Sequence, residues 1–323
     1  MPANCGHRHR KPGARLRYAI GKRIILSSGL RGLSCKAAHP TAMKPMPSEN
    51  LSTTGFAPRG TSWYYATLQL PPAQRQPLLA LQAWWRAVRS IPHSVTDAGV
   101  AAAKLAWWDV QIGQCRDGRP DHPLLLTLQP ALKAADVPLE LLLQALAQVD
   151  EGLRQNRWLD WQGLQRHLGD GPGHVARVAC LLAGQKNIAA LDYAQALGAA
   201  LAQVNLVRDV GRDLRRGLIF LPVEALAEHE VKARQLLDGT DSPQVRALLR
   251  DAATRALAAL VAADARRPIG MGLAARPAVA LSRMAHALLR EMERENYDLL
   301  GQRIDLPPTR KLWLAWRAQR AAR

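Results

Sequence analysis

Residues 205–222 read NLVRDVGRDLRRGLIFLP, in which two carboxylates, Asp209 and Asp213, stand four residues apart among Arg208, Arg212, Arg215 and Arg216. On a helix this spacing puts both on one face, one turn apart, with about 5–6 Å between Cβ atoms. At an effective dielectric near 20 their repulsion is on the order of 3 kcal/mol, so a partly buried pair needs a counter-charge. Magnesium meets that need, because it takes one or two carboxylates and completes its octahedron with water and phosphate oxygens. Asn205, one turn before Asp209, extends the oxygen-bearing stripe. The competing reading is a surface helix laced with Asp–Arg pairs, and the rest of the chain has to decide between them.

That rest is helical in character. The apolar content of 48% is ordinary for a globular protein of 323 residues. It is carried mainly by Leu, Ala and Val, and runs such as AATRALAALVAADARR favour helix. The fold class expected is all-α. Apolar periodicity and Gly/Pro breaks predict helices around 98–116, 122–134, 138–157, 174–185 and 190–214, then 243–266, 276–301 and 307–320. GTSWYYATLQLPPAQRQPLLALQAWWRAV reads as a lead-in to a further long helix. There is no glycine-rich phosphate loop, no strand–helix alternation and no repeat. No stretch reaches about 18 uninterrupted apolar residues. The four cysteines lack close pairing, which argues against a zinc site or disulfide framework and for a reducing compartment.

The net charge of +18 is unevenly spread, since residues 1–45 hold ten Lys and Arg and no acid. Residues 1–58 are read as a basic, flexible leader and 59–323 as the folded domain. The leader suits an organelle-targeting peptide, sequence upstream of a true start at Met43 or Met46, or a tail that touches anionic lipid or RNA. Nucleic-acid binding by the domain is not expected, because its basic residues show no recognition module or aromatic interleaving.

From residue 59 to 317 the chain resembles the squalene/phytoene synthase family, most nearly its bacterial presqualene diphosphate synthase branch. The resemblance rests on GTSWYYATLQLPP, GVAAAKLAWW, RDGRPDHP, QNRWLDWQGLQR, LDYAQALG, the opening stretch itself, RPAVALSRMAHALLREMER and LPPTRKLWLAWR, in that order. It implies an isoprenoid synthase fold: a single helical domain around a central cavity, with two aspartate-rich motifs holding magnesium and the diphosphates of two prenyl donors. Asn205, Asp209 and Asp213 then occupy the second metal motif. Arg86, Arg89, Arg208, Arg215 and Arg216 become candidate diphosphate contacts. Nothing in the residues bears on NADPH. The implied partners are a prenyl diphosphate or prenyl lipid and a partner synthase, in a cytoplasmic protein with peripheral membrane association or organelle targeting as further options.

The first metal motif departs from the family. Arg89 and His93 stand where the resemblance places metal-binding aspartates, and Ser90 replaces a third acid. A guanidinium stays charged at any ordinary pH, so this wall should not hold a metal. Pro92 should bend or end its helix, and Gly171, Pro172 and Gly173 should interrupt another where the family carries tyrosines, here His167 and Gly169. Ala202 and Phe220 replace a glutamine and a tyrosine. Two readings follow: a synthase for head-to-head condensation with impaired activity, or a noncatalytic relative binding a prenyl lipid or partner protein. The tryptophan pairs Trp84–Trp85 and Trp107–Trp108 are expected in the core, and His93, His122 and His167 as surface or capping residues. Because residues 1–45 lack apolar periodicity, their removal is expected to leave the melting temperature nearly unchanged; a loss of more than a few degrees in calorimetry would show that they pack on the domain.

Overall fold

A computed structural model describes residues 56–95, 97–155 and 157–321. The expectation for the leader falls almost wholly outside these residues. Phe56 and Ala57 are already buried, so the packed chain reaches three residues ahead of the expected domain start at 59.

The helices are α1 (Ser62–Thr67), α2 (Pro72–Ser94), α3 (Ala98–Gln114), α4 (Pro123–Ala134), α5 (Glu140–Arg154), α6 (Trp161–Leu168), α7 (His174–Leu182), α8 (Ile188–Leu214), α9 (Val223–Glu228), α10 (Ala233–Leu237), α11 (Pro243–Ala265), α12 (Ala275–Arg294) and α13 (Pro308–Ala321). No strand occurs among the described residues. Side-chain caps fix several starts. The carboxylates of Asp97 and Asp160 accept the backbone N–H of Val100 and Gly163 at 2.9 and 2.6 Å, and His122 Nδ1 accepts that of Leu124 at 3.1 Å. Pro72, Pro123 and Pro243 open α2, α4 and α11, where a missing N–H costs nothing.

Two apolar cores result. One gathers α2, α3, α4, α5 and α7, and is filled by Trp84, Trp108, Leu125 and Leu142. The other is built by α8, α11 and α12 with α6, α9 and α13 around it. Helix α8 belongs to both sides. It packs on α7 and on α11, and a large cavity lies along it.

The expected break at the Gly-Pro-Gly run needs correcting. Gly171, Pro172 and Gly173 do not interrupt the chain; Gly169–Gly173 form one π-helical turn that joins α6 directly to α7. The glycines serve close approach. A Cβ on Gly173 would sit 2.9 Å from Gln195 Cγ, and one on Gly198 would sit 2.6 Å from the Ala176 Cβ, so α8 and this turn touch backbone to backbone. Pro92 lies in the last turn of α2, which ends two residues later at Ser94, in keeping with the expected helix end.

The reverse holds for α12, which stops at Arg294 instead of running to 301. Asn296 and Tyr297 adopt left-handed backbone with φ of 47° and 56°, and the Tyr297 N–H closes on the Met292 carbonyl at 2.8 Å. The segment released by this early stop crosses α8 at Gly211, where an added Cβ would meet the Leu299 carbonyl oxygen at 2.4 Å. Gly211→Ala therefore cannot be accommodated without moving backbone. The expected cost is about 1–3 kcal/mol, seen as a melting temperature lower by about 2–4 °C for each kcal/mol in a chain of this size; an unchanged melting curve would show that the crossing is loose.

Candidate functional site

The cavity encloses about 610 Å³. Its floor is the stripe of α8 that repeats every three or four residues from Tyr193 through Leu197, Leu201 and Asn205 to Asp209 and Asp213. From Tyr193 to Asp213 this stripe runs about 30 Å at the helical rise. Most of the length is apolar. The far end holds Tyr193, whose hydroxyl is buried with no hydrogen-bond partner among the described residues. There Cys180 has its thiol pushed up to about 11 by burial, which leaves little reactive thiolate.

Charge collects at the other end. The charged lining residues are Arg86, Arg89, Arg212 and Arg216 against Asp209 and Asp213. Asp209, only 6% exposed, is saturated by cations. Its Oδ1 accepts from Arg208 Nε at 2.9 Å and from Arg303 Nε at 2.8 Å. Its Oδ2 accepts from Arg208 Nη2 at 2.6 Å and lies 3.1 Å from Arg212 Nη2. Burial alone would raise its pKa, but the hydrogen bonds and charges of Arg208 and Arg303 outweigh it and hold the carboxyl at about 2. Asp213 has only Arg212, whose Nε and Nη2 each lie 3.3 Å from its Oδ1. There burial wins, reinforced by the charge of Asp209, and the carboxyl is raised.

Arg89, Ser90, Pro92 and His93 bring the end of α2 to the same mouth. Arg89 has no hydrogen-bond or ion-pair partner among the described residues. It is exposed and lines the mouth of the cavity. Burial and the charges of Arg208, Arg212 and Arg86, against Asp209, lower its hold on its proton. His93 is lowered too, by burial and then by Arg216, Arg212 and Arg89. Arg86 donates to the Phe56 carbonyl at 2.6 Å.

The sequence-predicted residues are thus partly brought together. Asn205, Asp209, Asp213, Arg86, Arg89 and Arg216 line the cavity. Arg208 does not line it and acts from behind, through Asp209. Arg215 turns outward to the Leu300 carbonyl at 3.4 Å. His122 is a helix cap and His93 is exposed, both as expected, though His93 also lines the cavity mouth; His167 instead lines the cavity, with Nδ1 2.8 Å from Gln148 Oε1. Trp84 and Trp108 are core residues; Trp85 is both core and cavity wall. Sequence reasoning missed Arg303, which comes from the segment that follows α12, ninety-four positions from Asp209. No local pattern marks it.

The family is shown by direct comparison. The profile of the squalene/phytoene synthase family matches residues 57–310. The chain belongs to this family. It is similar to a 15-cis-phytoene synthase of Synechococcus elongatus, with 27% identity over 78% of this chain and 85% of that one. Among solved structures, a dehydrosqualene synthase superposes with a TM-score of 0.70 at 19% identity, covering 80% of this chain and 91% of its own. The squalene synthase HpnC from Alicyclobacillus acidocaldarius gives 0.64 at 20% identity, over 73% and 89%. At such identities the structures establish the isoprenoid synthase fold.

Within that fold the donor set of this family member does not suit a carboxylate-bridged magnesium cluster. Both oxygens of Asp209 are already engaged by guanidinium groups, and the facing wall offers Arg89, Ser90 and His93. A metal would have to displace arginines and then sit opposite another. An anion meets no such obstacle.

The lowered Asp209 carboxyl has a pH signature. A depressed carboxylate contributes stability that is fully present above its unfolded value and lost as pH falls through the folded one, here from 3.8 to about 2. Part of this is offset by Asp213, shifted the other way. Acid unfolding followed between those two pH values is expected to be less steep in Asp209→Asn than in the native chain; curves of equal slope would show that Asp209 is not held by its arginines.

Proposed function

We propose that this protein binds a prenyl diphosphate, with the hydrocarbon chain along α8 and the diphosphate among Arg86, Arg89, Arg212 and Arg216, and that it condenses such substrates poorly if at all. The observation that carries this reading is the charge of the mouth: four lining arginines against two aspartates, one of them already neutralised by its partners. Guanidinium groups match phosphate oxygens with paired hydrogen bonds, and an apolar channel of this length suits an isoprenoid chain better than a compact polar substrate.

Catalysis asks for more than binding. Breaking the allylic carbon–oxygen bond sends its electron pair onto the departing diphosphate, and only interactions that strengthen as this charge develops lower the barrier. Fixed guanidinium charges supply less of that stabilisation than divalent cations bound directly to the departing oxygens. Relatives of this family use divalent metal; the arginines here stand in for that charge at binding. Lost polar groups point the same way, since Ala202 and Phe220 also line the cavity.

Calorimetry with farnesyl diphosphate tests this. The native chain is expected to bind it both with magnesium and with EDTA, and to form little product on incubation. Arg89→Ala is expected to weaken binding about ten-fold or more, the cost of one charge-assisted contact of about 1.5–3 kcal/mol. Robust condensation by the native chain would refute the weak turnover, and unchanged affinity in Arg89→Ala would remove that residue from the site.

A further inference from the structure

Helix α13 carries the only strongly exposed aromatic side chains among the described residues, Trp313 at 49% and Trp316 at 44%, with Leu312 beside them at 42%. Large apolar side chains in such a cluster need an explanation that single exposed leucines do not. The helix is two-faced. Lys311, Leu314, Ala315 and Ala318 are buried, while Thr309, Leu312, Trp313, Trp316, Arg317 and Arg320 are exposed. The exposed positions recur every three or four residues and form one continuous stripe.

The charge on this stripe has one sign. Residues 308–321 contain no acid. Arg317 lies over the Trp313 ring at 4.8 Å and Arg320 over the Trp316 ring at 4.0 Å, so each indole is paired with a cation one turn further along. Helix α12, on which α13 packs, adds exposed Arg290 and Arg294. Of the acids at this end of α12, Glu291 is committed to Arg294 at 2.9 Å and to Arg310, while Glu293 and Glu295 are exposed. Indole with arginine on one face of a helix matches the headgroup region of an anionic bilayer, where tryptophan sits at the boundary and arginine meets phosphate.

We infer that the exposed face of α13, centred on Trp313, Trp316, Arg317 and Arg320, is a docking surface for anionic lipid membranes. It goes beyond the reading of the cavity and does not depend on it. No described helix is long and apolar enough to cross a membrane, so docking is at the surface. The surface adjoins the cavity: α13 packs on α1, whose Trp63 lines the cavity, and buried Lys311 donates to the Gly60 carbonyl, just ahead of α1, at 3.0 Å.

Co-sedimentation of the full chain with vesicles tests the inference, comparing phosphatidylcholine alone with phosphatidylcholine containing phosphatidylglycerol. Binding is expected to the mixed vesicles and not to the neutral ones. It should fall about ten-fold in the double variant Trp313→Ala, Trp316→Ala, and about five-fold for each of Arg317→Ala and Arg320→Ala. Arg234→Ala, an exposed arginine elsewhere on the domain, should bind as the native chain does. Melting curves check that the variants remain folded, and because every one of them keeps residues 1–45, binding through that segment alone would leave all of them unchanged. That outcome overturns the inference, as does equal binding to neutral and anionic vesicles. A concentration-dependent dimer abolished by the tryptophan variant, with no vesicle binding by the native chain, would overturn it in favour of a protein interface.

Discussion

A carboxylate that is both buried and charged must be paid for locally, and Asp209 meets that demand with three guanidinium groups. Two of them, Arg208 and Arg212, come from its own helix; the third, Arg303, comes from the segment after α12. Removing one partner from such an arrangement costs far more than the pair contributes over an apolar replacement, so the cluster acts chiefly as a constraint on geometry. It pins the chain that leaves α12 across the end of α8, and it fixes the sign of the cavity mouth.

The pinning works because other choices agree with it. Gly211 gives the crossing segment room on α8, and the left-handed turn at Asn296 and Tyr297 releases that segment early enough to reach. Buried Lys311 then links Asp305 at 2.8 Å to the start of α1. A carboxylate, a glycine, a helix stop and a lysine, far apart in sequence, thus settle one local arrangement. The cavity keeps its depth on the other side by the contact of Gly173 and Gly198, which lets α8 run close to the π-helical turn.

What was legible in the sequence is what depends on neighbours a few residues apart. The all-α class, the course of α8 and the one-sided stripe of Asn205, Asp209 and Asp213 follow from helical periodicity. The charge reversal at Arg89 was visible only against a family pattern, because an arginine at the end of a helix is unremarkable by itself. What stayed hidden is tertiary. Arg303 carries no local mark of its partner, and the stop at Arg294 depends partly on Arg246, whose Nη1 holds the Asn296 carbonyl at 2.9 Å. The Gly-Pro-Gly run was misread for a related reason. Glycine and proline signal a break when only the local backbone is considered, whereas here glycine is required by the backbone lying against it.

That run has a further effect on angular phase. Successive residues of an α-helix are turned by about 100°, and a π-helical turn holds one residue more than its α-helical counterpart. Gly169–Gly173 therefore acts as a fixed rotation between α6 and α7 as well as a join. It sets Val175, Ala176 and Ala179 toward the cavity while Leu164 and Trp161 of α6 stay in the core beneath α8. Inserting or deleting a single residue between Leu168 and His174 would swing the whole of α7 by about a quarter of a turn and present a different set of its side chains to the channel. In this protein the shape of the cavity wall is therefore encoded in the number of residues between two helices as much as in their identity.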